Sequence, residues 1–145
     1  MLRRIITEET AVFMVWLIEL ASIEFYERDR ALAFKDLNDR KIWHHFIEKY
    51  EEKRNLSAEM IVAQIEEMLG IEKAPLRKMY SLSDAGTEFI KTIVLEIAKK
   101  YNWNYSVSLE RFYTSRVCGI LSDAKVCLSA FTLDEILELF GQDLN

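Results

Sequence analysis

A chain of 145 residues, half of them hydrophobic and 12% aromatic, is too apolar for a disordered segment and long enough for one compact core. Its net charge of −5 and the lack of a Lys/Arg block exclude a binder that tracks nucleic-acid phosphates, because that affinity rests on clustered cations. Four glycines and one proline are too little punctuation for tight hairpins, so the expected class is all-α.

Acid is unevenly spread. Residues 1–70 carry 14 Asp and Glu against 10 Lys and Arg, whereas residues 71–145 carry 10 against 9. The longest apolar run, AVFMVWLI at residues 11–18, is fenced by Glu8, Glu9 and Glu19 and is too short to span a bilayer. MLRRIITEE turns acidic before any hydrophobic stretch, unlike a signal peptide. Cys118 and Cys127 are too few for a disulfide framework and sit among apolar neighbours. They read as buried free thiols, and the expected location is cytoplasmic, without membrane contact.

The clearest helix covers residues 7–28, with Val12, Trp16, Leu20 and Ile23, joined by Phe13 and Leu17, at three- and four-residue steps. Thr7 is its expected N-cap, with Glu8 and Glu9 in the first turn where the dipole favours them. A short helix at 31–36 follows, then a long one over 39–54, capped by Asp39, with Ile42, Trp43, Phe46, Ile47 and Tyr50 inward. Ser57 caps a helix that turns Ile61, Ile65 and Met68 inward and ends at Leu69, where Gly70 supplies the left-handed terminator. Residues 71–82 hold Pro75 and read as a linker.

Ser81 or Ser83 opens the next helix, 84–101, which carries Phe89, Ile93, Ile97 and Tyr101 on one face. Asn102 to Asn104 break it, and helices at 106–115 and 116–128 follow. The last begins at Thr132 with Glu135 three residues on, a capping box, and frays after Phe140.

The order of elements echoes itself. At an offset of 77, Phe13, Trp16, Leu17 and Leu20 meet Ile90, Ile93, Val94 and Ile97. At an offset of 75, Ser57, Ile61 and Ile65 meet Thr132, Ile136 and Phe140. Any two amphipathic helices align at a few positions. The reading adopted is one domain of seven to eight helices, built from two pseudo-repeated units at about 1–70 and 83–145 that bury their faces together.

Residues 50–69, YEEKRNLSAEMIVAQIEEML, resemble the end of a small all-α bacterial domain family of unknown function, through Tyr50, Ser57, Glu59, Met60, Ile61, Val62 and Ile65. The second half resembles it through Val126, Cys127, Phe131, Asp134, Glu135, Ile136 and Leu137, so two divergent tandem copies would cover most of the chain. Lys53-Arg54 stands where that family carries a Leu-His pair, so a site built on that histidine does not carry over. The resemblance implies a gene neighbourhood of ADP-ribosyltransferase-like toxins, and a neutralising partner rather than an enzyme.

Two surfaces are candidates for partner binding. Tyr101, Trp103 and Tyr105 alternate with asparagines at a helix end, where they cannot all point inward, and exposed Tyr and Trp are common interface anchors. The alternative is that Trp103 plugs the core. Glu48, Glu51 and Glu52, with Glu66 and Glu67, form the second surface, or a merely solvated strip. His44 and Glu48, four apart, are the weak metal candidates, but zinc takes three or four protein ligands and none joins them locally. His45 with Cys118 or Cys127 draws a nucleophilic pair that no local motif marks. No metal, cofactor or catalytic residue is therefore expected. The reading is a non-catalytic protein-interaction module whose partner is another protein or a second copy of the chain. The alternative is an acidic inhibitor, from a phage or its host, that blocks a nucleic-acid-binding protein.

Overall fold

The computed structural model describes residues 7–70, 85–122 and 130–144. Among these every regular element is a helix, with nine α-helices against the seven to eight expected. None is long and apolar enough to cross a membrane. The linker 71–82 with Pro75, the caps Ser81 and Ser83, and Cys127 lie outside the described residues.

The first helix, α1 (Glu8–Phe25), is the axis of the fold. Thr7 accepts a hydrogen bond from the Thr10 amide at 3.3 Å, as its N-cap position predicts. Ala11 and every residue from Phe13 to Ser22 are buried, so α1 needs neighbours on most of its sides. It ends three residues earlier than its apolar pattern implies. Glu27 and Arg28 take left-handed backbone angles (φ 52° and 70°), and the Arg28 amide closes the turn on Ser22 O at 2.7 Å.

The second helix, α2 (Arg30–Asp39), is capped by Asp29, which accepts from the Leu32 amide. The expected helix over 39–54 is not one piece. Asp39 is the last residue of α2, not a cap, and Lys41 is left-handed at φ 58°. The chain restarts as α3 (Ile42–Glu48), breaks at Lys49, and makes one more turn, α4 (Tyr50–Lys53). The break lets α3 fold back so that the Trp43 indole N–H donates to Asn38 Oδ1 at 3.0 Å. Ile42, Trp43, Phe46 and Ile47 are thereby buried.

The fifth helix, α5 (Ala58–Leu69), has the expected ends: Ser57 accepts from the Met60 amide, and Gly70 closes it at φ 72°. Ile61, Val62 and Ile65 are buried, but Met68 stays 38% exposed. This helix packs chiefly on α1, and a single neighbour covers only a narrow stripe.

The second half begins with α6 (Ala85–Tyr101), which buries Ile90, Ile93, Val94, Ile97 and Ala98. Asn102 is left-handed (φ 54°), and the Trp103 amide reaches back to Ala98 O at 3.0 Å, a Schellman ending with Asn in glycine's place. Asn104 then caps α7 (Tyr105–Tyr113), and Ser115 caps α8 (Arg116–Leu121). The last helix, α9 (Leu133–Asp143), carries the Thr132/Glu135 capping box. It continues past Phe140 to Asp143, whose carboxylate accepts from the Arg116 amide at 2.7 Å.

One contiguous core draws on both halves, with α1 packed on α6 and α7, and α2 on α7 and α8. The echoed positions Phe13, Trp16, Leu17 and Leu20 are buried in α1, as are Ile90, Ile93, Val94 and Ile97 in α6. An amphipathic helix requires that with or without a duplication.

A buried ion pair fastens the halves. Glu19, which in sequence merely closes an apolar run, is 3% exposed. Arg30 Nε donates to both of its carboxylate oxygens (3.0 and 3.1 Å), and Nη2 lies 2.9 Å from Oε1. Arg30 Nη1 donates to the Leu121 carbonyl, and the Tyr113 hydroxyl donates to Glu19 Oε2 at 3.3 Å. Burial opposes the charge on Arg30, but the attraction and hydrogen bonds of Glu19 outweigh it and raise its pKa. Truncating one partner strands the other charge. Arg30→Ala should cost about 3–5 kcal/mol in urea unfolding, whereas Glu19→Leu together with Arg30→Met should cost less than either single change.

Candidate functional site

A concave feature lies where the start of α1 meets α3 and α4. It is a hollow of about 510 Å³. Thr7, Glu9 and Thr10 come from the first helix, Ile47 and Glu48 from α3, and Lys49 to Glu52 from the break and α4. The described lining thus holds four carboxylates and one ammonium group. Of the neighbouring cations, Lys53 turns away from the hollow and Arg54 reaches one of its carboxylates. Lys53 donates to Gln64 Oε1 of α5 at 2.7 Å, and Arg54 is 3.8 Å from Glu51 while its guanidinium lies 5.9 Å over the Tyr50 ring. The break at Lys49 brings Tyr50 edge-on to Phe13 with ring centres 5.4 Å apart, fastening α4 to α1.

Of the expected acidic residues, Glu48, Glu51 and Glu52 are exposed and meet in this hollow. Glu66 and Glu67 sit on α5 and do not line it. Sequence reasoning used Glu9 as a fence of the apolar run and a complement to the helix dipole, and gave neither it nor Thr10 a part in a binding surface. Only the fold brings the start of α1 against a turn some forty residues later.

The aromatic surface is arranged differently. Tyr101, Trp103 and Tyr105 are all half-buried and packed on the core. Tyr101 stacks on Trp103 at 4.9 Å, Trp103 meets Phe140 edge-on at 6.1 Å, and Arg111 lies 5.8 Å over the Trp103 ring. A methyl group on Gly141 would come within 3.2 Å of the Tyr101 hydroxyl, so α9 packs closely here. Much of the Trp103 ring is therefore engaged within the chain.

His44 stacks on Trp43 with ring centres 3.6 Å apart, and its Nδ1 is buried without a hydrogen-bond partner. Burial, then Lys41, lowers its pKa, with Glu48 opposing. The ring of His45 meets Phe46 edge-on at 5.8 Å. Among the described residues, no group of three His, Cys, Asp or Glu side chains could hold a metal ion. The Cys118 thiol is pushed up to about 12 by burial, with its sulfur 3.9 Å from the Ser122 hydroxyl, so at neutral pH it is a protonated core residue and not a thiolate nucleophile.

Compared with models of known protein families, with curated proteins and with solved structures, the chain matches none.

Three outcomes follow from this geometry. A histidine whose folded pKa lies below 6.5 binds fewer protons than the unfolded chain, so stability should fall as pH drops through about 6.5 and level off below the folded value. His44→Gln should remove that slope in urea midpoints. The acid limb of Asp36 is separate. The Tyr26 hydroxyl, then Arg40, hold its pKa below 3.8, so its stabilisation is lost only at lower pH. Trp103→Ala should cost about 2 kcal/mol of stability, below the full core value because the ring is only half-buried, while Trp103→Phe retains most of it. Unchanged unfolding in Trp103→Ala, with partner binding lost, would instead assign the ring to an interface.

Proposed function

We propose that this chain is a non-catalytic protein-interaction module that receives a basic partner on the acidic hollow between α1, α3 and α4. The observation that carries the reading is the convergence of Glu9, Glu48, Glu51 and Glu52 on one concavity in which Lys49 is the one cation among the described lining residues. A hollow lined by one sign of charge raises the local concentration of oppositely charged partners and speeds their encounter. The action on the partner is steric: a bound module covers whatever surface it docks on. Neutralising a toxin, as the resemblance at residues 50–69 implies, is one form of that action.

The same acidity supports the second reading, an inhibitor that presents carboxylates where a nucleic acid would lie on its target. The two readings differ in competition. An inhibitor of that kind is displaced by DNA or RNA, whereas a neutralising module need not be.

The test is affinity capture with the full chain and with the triple variant Glu48→Lys, Glu51→Lys, Glu52→Lys. A stoichiometric basic partner should be held by the wild type, released by added salt, and lost from the variant. A partner held equally by both chains overturns the docking face. If that partner is lost on Tyr105→Ala instead, docking belongs to the aromatic end.

A further inference from the structure

Beside the acidic hollow lies an apolar trough of about 410 Å³, walled by Val12, Phe13 and Trp16 of α1 and by Leu56 and Ala58 at the entrance to α5. The two hollows share Glu9, and Phe13 of the trough touches Tyr50 of the acidic hollow. The trough follows from the composition of α1. A helix apolar on nearly all sides needs cover everywhere. Although α2, α3, α5, α6 and α7 pack on it, Val12 stays half-exposed, together with Leu56 and Ala58. The charges on the trough's rim are Glu9 and Arg54, and Arg54 is already paired with Glu51. The rim alone is balanced, but the described lining of the two hollows together carries four carboxylates (Glu9, Glu48, Glu51, Glu52) against two cations (Lys49, Arg54).

We infer that the trough takes the apolar anchor of an amphipathic helix belonging to the partner, with Lys or Arg flanking that anchor over the acidic hollow. The inference rests on the docking face proposed above and adds the chemistry of its occupant. Helix-in-groove recognition needs an apolar slot for spaced anchors and polar surroundings that set orientation, and the two adjoining hollows supply these. Complementary charge selects a basic polar face over an acidic one. The adjoining acidic hollow disfavours an anionic bilayer, which attracts basic and not acidic surfaces.

The probes are a Leu/Lys amphipathic helical peptide and a Leu/Glu peptide with the same apolar face, titrated calorimetrically and followed by methyl NMR on the full chain. The Leu/Lys peptide should bind at least about tenfold more tightly and shift the Val12 and Leu56 methyl signals. Ala58→Glu should weaken it about tenfold, because it fills the trough while suiting the first turn of a helix. Leu56→Gln is a second variant with the same expectation. Ala58→Glu also adds a carboxylate, so a peptide held by charge alone would bind that variant as tightly or more tightly. That result overturns the trough, as do equal binding of both peptides and no binding of either. Concentration-dependent Val12 and Leu56 shifts in the free chain would assign the trough to a second copy, which also overturns the inference. A captured partner that is lost on the triple charge reversal but kept by Ala58→Glu would leave the docking face standing without the trough.

Discussion

The fold depends on one interaction, the buried pair of Glu19 and Arg30. A carboxylate 3% exposed and a guanidinium 8% exposed are each costly to remove from water. They are tolerable together because their hydrogen-bonding capacity is met from several directions. Arg30 spans both Glu19 oxygens and the end of α8, and Tyr113 of α7 completes the shell. The Phe34 ring stacks on Tyr113 at 5.1 Å and nearly parallel, closing the polar cluster on the α2 side. The pair therefore ties α1 and α2 to α7 and α8, so it sets which way the two halves of the chain meet. An apolar pair of the same volume would pack there with less directional demand.

The second constraint is local and lies in the backbone. Lys41 in the left-handed region and the break at Lys49 divide what would otherwise be a continuous helix. A straight helix over 39–54 would carry Glu48, Glu51 and Glu52 along one rod, evenly wetted. Broken twice, the chain lays α4 against α1 through Tyr50 and Phe13, and the carboxylates gather with Glu9 around a hollow. A solvated strip becomes a concave acidic surface by a change of direction, with no change of composition.

The two candidate surfaces thus differ in kind. At the α6–α7 junction, aromatic rings are spent on one another and on Phe140, which makes that junction a joint between helices. At the α1–α4 junction, charged groups remain exposed beside an apolar trough whose walls are incompletely covered. The contrast favours the second as the place where another molecule would gain most by binding.

The helix ends were legible in the residues because they are settled within a few positions of the chain. Thr7 and Ser57 each accept from an amide three residues on, the Thr132/Glu135 box closes on itself, and Gly70 ends α5 in the conformation glycine tolerates best. Asn104 and Ser115 cap in the same way, although the residues were read only as a break and as part of a helix. Periodicity likewise marked most of the core faces. What the residues could not disclose was anything that needs a distant partner. Glu19 reads as a polar fence until Arg30 and Tyr113 are beside it. Asp39 reads as a cap until Lys41 turns left-handed behind it, and Met68 reads as core until its helix is seen to have one main neighbour. Trp103 reads equally as an interface anchor or a plug of the core, and the fold sets its half-buried ring against Tyr101 and Phe140. Local hydrogen bonds and helical period were therefore determined by the sequence itself. Burial of charge, the broken helix and the acidic hollow were decided by tertiary packing, because each depends on contacts between segments far apart in the chain.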